Sequence, residues 1–65
     1  MQYIIQKRVD MWTWEDVMVF GPWGEDGVWD SVRESWNALT STKFHRIALR
    51  YGDGTQQTVR GGVVQ

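Results

Sequence analysis

The apolar residues of this chain change their period once. Val28, Trp29, Val32, Trp36 and Leu39 follow the i, i+4, i+8, i+11 stripe of one helical face, with Asp30, Arg33, Glu34 and Asn37 off it. The flanking segments are rich in β-branched and aromatic residues and read with a period of two. Tyr3, Ile5 and Val9 share one face of a first strand, which Lys7 interrupts. In a second strand, from Trp14 to Phe20, Val17 and Val19 lie on one face and Trp14, Met18 and Phe20 on the other. Phe44 to Tyr51 places His45, Ile47, Leu49 and Tyr51 opposite Phe44, Arg46, Ala48 and Arg50. Gly52-Asp53-Gly54 then signals a hairpin to a polar returning strand, Thr55 to Arg60.

The order predicted is ββαββ: an α+β two-layer domain with one helix packed on an antiparallel sheet, in strand order 2-1-3-4. Residues 1–65 form a single small domain, with residues 61–65 expected as a frayed tail or, through Val63 and Val64, an adhesive strand addition. Gly21-Pro22-Trp23-Gly24 stops the second strand, because proline cannot donate to a ladder. Asp26 is the expected helix N-cap, and Thr40, Ser41 and Thr42 end the helix by composition.

No cysteine is present among the 65 residues, so neither disulfides nor a Cys-based zinc site can hold the fold. So short a chain buries only about 60% of its unfolded surface, and hydrophobic packing must suffice, across a subunit boundary if necessary. The formal charge of −1 gives no case for nucleic-acid binding on charge alone. Seven of the eight acidic residues nevertheless fall in residues 10 to 34, where Arg33 is the only base, which predicts an acidic helix side and a mildly basic sheet side. A mean hydropathy of −0.47, without a run resembling a membrane span or a signal peptide, leads us to expect a cytoplasmic protein with no membrane contact.

Catalytic machinery is not expected. His45 is the single histidine and has no second imidazole or thiolate to share a metal with. It begins a strand unrelated to any serine, so no triad forms. Glu15-Asp16 would point to opposite faces of a strand and cannot act as a carboxylate pair on one substrate. Glycines 21, 24 and 27 lead from strand to helix, but Glu25 and Asp26 stand where a phosphate would bind and no P-loop lysine follows. No cofactor and no metal are implied.

Two surfaces remain. Trp12, Trp14 and Trp23 lie in or beside turns, while Trp29 and Trp36 are expected in the core. With Met18 and Phe20, the three turn tryptophans form a candidate partner surface, and a homodimer is its simplest version. The alternative is a face bearing Arg8, Phe44, Arg46 and Arg50, on which single-stranded nucleic acid could stack.

Tyr3-Ile4-Ile5-Gln6, Trp14-Glu15-Asp16-Val17, the amphipathic helix and Phe44-His45-Arg46-Ile47 together resemble small accessory proteins of tailed bacteriophages. Those read as a short strand, a W-E-x-V strand, a helix and a strand of the F/Y-R-I/L-V-R kind. The resemblance covers roughly residues 3 to 51, and this chain departs from it in the Gly-Pro-Trp-Gly loop and the second hairpin. It implies a phage accessory protein made in the host cytoplasm that modulates a host protein, and it transfers no functional residues.

Overall fold

The structure is a computed structural model and describes residues 1–22, 24–40 and 42–61. It is an α+β domain in which the strands β1 (Gln2–Arg8), β2 (Trp14–Phe20), β3 (His45–Arg50) and β4 (Gln56–Gly61) make one antiparallel sheet, with the helix α1 (Val28–Asn37) between β2 and β3 in the chain. Strand order is β2-β1-β3-β4, the expected order, in which every neighbouring pair is antiparallel. Trp23, Val63 and Val64, singled out above, lie outside the described residues.

Helix α1 packs on the sheet face that carries Ile5 and Ile47, and these join Val32 and Trp36 in a buried core flanked by Tyr3, Phe20 and Leu39. The helix backbone lies over β1 and β2. Trp36 reaches the far side of the sheet: its Cη2 lies 2.8 Å from where a Cβ on Gly61 would stand. One indole thereby extends the cover of a helix of 10 residues beyond β1 and β2 to the Gly61 end of β4.

Several local expectations are corrected. Gly27, not Asp26, is the N-cap, with φ 79° and no side-chain cap hydrogen bond. The chain enters the helix through a left-handed residue, a conformation glycine adopts without a Cβ clash, and this sets the Asp26 side chain one position too early to cap. Gly61 belongs to β4 and pairs with Arg46, so the expected fraying does not begin there. Trp29 is 37% exposed at the rim of the helix stripe, its ring 5.2 Å from that of Tyr3, so of the two helix tryptophans only Trp36 is core.

The largest correction concerns β2. Ile5 pairs with Met18 but Gln6 with Asp16, so Val17 is an extra residue in a β-bulge. A bulge reverses the alternation beyond it. Met18 and Phe20 therefore face the helix side with Ile5 and Tyr3, whereas Trp14 and Asp16 face the opposite side with Arg8 and Gln6. Trp14 does not share a face with Met18 and Phe20.

Candidate functional site

The helix-free face is built in cross-strand rows. Trp14 stands opposite Arg8; Asp16, Gln6 and Arg46 form the next row; and Ala48 and Arg50 follow along β3 beside Ile4 and Gln2. Ile4 and Ala48 are completely buried although no helix covers this side. Polar side chains lie flat over them instead.

Gln6 is the centre of that layer and is only 3% exposed. Its Nε2 donates to Asp16 Oδ1 at 2.8 Å, and its Oε1 accepts from Arg46 Nε at 2.7 Å. Both ends of a buried amide are satisfied, which burial of such a group requires. Arg50 closes the layer from the other side, its Nη1 donating to Asp16 Oδ2 at 3.1 Å and its Nη2 to Asp16 Oδ1 and Gln56 Oε1 at 3.2 Å. The hydrogen bond from Gln6 and those from Arg50 hold the Asp16 carboxyl below the usual carboxylate range, against a smaller opposing effect of burial.

Arg46 lies above the Trp14 ring, its guanidinium carbon 4.2 Å from the centroid. Burial lowers the basicity of this guanidinium, which nevertheless stays charged at neutral pH. Its stacked face meets the indole and its Nε is held by Gln6, while its Nη groups have no hydrogen-bond partner among the described residues. An open groove of about 710 Å³ runs past it, lined by Gln6, Trp12, Trp14, Asp16 and Arg46 among others.

The β1–β2 turn forms the groove's upper wall. Val9 N donates to Thr13 O, and Trp12 N donates 2.8 Å to Asp10 Oδ1, an Asx-type turn. That backbone hydrogen bond is the main reason the Asp10 carboxyl titrates below its ordinary range. Arg8 stitches the same turn, donating from Nε to Asp10 O and from Nη2 to Met11 O. The turn is thus well anchored while its Trp12 side chain is 86% exposed.

Of the expected partner surface, Trp12 and Trp14 come together at the groove, and Met18 and Phe20 lie on the other face. Of the expected basic set, Arg8 is committed to the turn and Arg50 to Asp16, and Phe44 lies just before β3 with the Lys43 ammonium 5.5 Å from its ring centroid. Among the described residues, Arg46 alone of these three arginines keeps a free Nη edge. Gln6, Asp16 and Gln56 escaped the sequence reading. A glutamine following Ile4-Ile5 in a central strand was the available signal, since a polar side chain there must find partners. On the helix side, His45 Nδ1 is buried and among the described residues has no hydrogen-bond partner, and among them no cluster of three metal-ligating side chains occurs. Among them also, no helix is long and apolar enough to cross a membrane.

Comparison with protein-family models, curated proteins and solved structures gave no match for this chain.

Proposed function

We propose that this protein is a non-enzymatic docking module that acts by presenting the free edge of β2 and the neighbouring Trp12 turn to another protein, in the first instance a second copy of itself. One observation carries the reading. Residues Glu15 to Val19 of this edge strand are all exposed, and Val17, Met18 and Val19 put apolar surface on both of its sides.

A seven-residue edge strand with an uncovered apolar run is a template for strand addition. Antiparallel self-pairing of this edge about a two-fold axis normal to the sheet sets the helices of the two copies on the same side of one continuous sheet. It is also isologous, the contact a two-fold dimer requires. The bacteriophage resemblance extends the same surface to a host protein, with dimer and host partner competing for one edge.

Sedimentation equilibrium at micromolar concentration tests the reading. Twice the 7.6 kDa chain mass is expected for the wild type, with reversion to monomer in Val19→Lys. A wild-type monomer across the whole concentration range overturns it.

A further inference from the structure

We propose that the groove beside Trp12 is a receptor for a single carboxylate, the side chain of a Glu or Asp on a partner protein, with the Nη edge of Arg46 as its anchor. This deepens the docking reading by naming the chemistry recognised next to the β2 edge.

The argument starts from what each arginine on this face has left to give. A guanidinium offers five in-plane N–H donors and two π faces. Arg50 spends both Nη groups on Asp16 and Gln56, and Arg8 spends Nε and Nη2 on carbonyls of the turn. Arg46 uses one π face on Trp14 and one N–H on Gln6. The Nη edge that remains is the two-pronged donor that matches a carboxylate bidentately. It is also fixed in place, since indole and amide together restrain both the tilt and the rotation of the group. Binding therefore needs little further ordering of a side chain that is ordinarily costly to immobilise.

Charge complementarity selects a lone carboxylate over a polyanion. Asp16 is neutralised by Arg50 and does not cancel Arg46, which leaves the groove one uncompensated positive charge, enough to match one carboxylate and too little for a chain of phosphates. Trp12 supplies the second element, an exposed indole on an anchored turn that can cover the methylene stem of the incoming acid. The groove's partly desolvated setting strengthens a charge-assisted hydrogen bond relative to open solvent.

The test is a titration of the free protein followed by the arginine Nε–H and tryptophan indole N–H resonances. N-acetylglutamate is the probe and N-acetylglutamine the control, at constant ionic strength. Saturable shifts at Arg46 and Trp12 with the acid and none with the amide are expected. Arg46→Lys, which keeps the charge but loses the fork, should weaken binding about tenfold. Equal responses to acid and amide, or shifts centred on Arg8 or Arg50, overturn the proposal. So does a short single-stranded oligonucleotide that moves the Arg46 resonance at lower concentration than the carboxylate, since that assigns the edge to phosphate. Running the titration on Val19→Lys as well separates the two readings. Carboxylate binding by a wild type that stays monomeric leaves this inference standing and the self-docking one fallen, and a wild-type dimer that binds no carboxylate, as dimer or as the Val19→Lys monomer, does the reverse.

Discussion

Arg46 lies over the Trp14 ring, its guanidinium carbon 4.2 Å from the centroid, and donates from the same group to Gln6. The two residues come from β3 and β2, separated by β1, so the contact spans three strands of the sheet. It belongs to a polar layer that does on this face what α1 does on the other. The stems of Arg46 and Arg50 cover apolar backbone and side chains while their charged heads stay at the surface. A chain of 65 residues without disulfides thereby buries both faces of its two central strands with a single helix.

Gln6 holds that layer together, and removing it should cost more than an ordinary surface change. Gln6→Leu keeps much of the volume but strips the acceptor from Arg46 Nε and one donor from Asp16. We expect a loss of about 1 to 2 kcal/mol in urea unfolding, seen as a lower midpoint with an unchanged slope. Unchanged or increased stability would mean that the layer covers the sheet without stabilising it.

Acid should weaken the fold through Asp16. Its carboxyl is more acidic in the folded protein than in the unfolded chain, where the ordinary value is 3.8. The unfolded state therefore takes up the proton first as pH falls, so the contribution is complete well above that value and drains away from about pH 5 downward. Asp10 and Asp53 shift in the same direction through hydrogen bonds in their turns, to Trp12 and Thr55 respectively, and add to the acid limb. Asp16→Asn should lower the neutral-pH thermal midpoint and flatten, without abolishing, the decline below about pH 5. An acid limb identical to wild type would remove Asp16 from this account.

The strands and the helix were legible because Tyr3 and Ile5 share a face of one strand, Ile47 and Leu49 a face of another, and Val28, Val32, Trp36 and Leu39 keep the helical period, and the strand order followed from making every neighbouring pair antiparallel. The site was not, and the bulge at Val17 is the reason. One inserted residue moved Trp14 to the face of Arg46 while Met18 and Phe20 stayed with the helix, and no residue type in Trp14–Phe20 announces such an insertion. Arg8, Arg46 and Arg50 were recognisable as sharing a face. Their different availability depends on Asp16, Gln6 and the backbone of the 9–13 turn, which are tertiary neighbours that periodicity does not reveal. The N-cap went astray for a local reason, because a glycine entering from the left-handed region competes with the aspartate before it.

Two glycines with the same backbone angle should respond differently to alanine. Gly27 and Gly61 both have φ near 79°, but a Cβ on Gly27 meets open space, whereas one on Gly61 would stand 2.7 Å from His45 O and 2.8 Å from Trp36 Cη2. Gly27→Ala carries only the strain of the left-handed conformation, about 1 kcal/mol. Gly61→Ala adds overpacking against backbone and a core ring, for a total of about 2 to 4 kcal/mol. Chemical denaturation of the pair checks the order, and equal losses would show that the β4 end yields freely beneath Trp36.

Three tryptophans should give three different outcomes on truncation. Trp36 is 5% exposed and roofs the sheet as far as Gly61, so Trp36→Ala should cost about 3 to 5 kcal/mol. That is comparable with the whole stability of a domain this size, on the order of 3 to 10 kcal/mol, and the variant should be largely unfolded at room temperature. Trp29 packs on Tyr3 at the rim, and its loss should cost about 1 to 2 kcal/mol through one ring pair and partial burial. Trp12→Ala should change stability by less than about 0.5 kcal/mol, because the turn is held by Asp10, Thr13 and Arg8 and not by the indole. Its effect should appear instead as weaker self-association and a smaller response to N-acetylglutamate. Circular dichroism with urea unfolding ranks the three, and a Trp12 variant that loses stability while keeping both binding responses would place that indole in the fold and not at the docking surface.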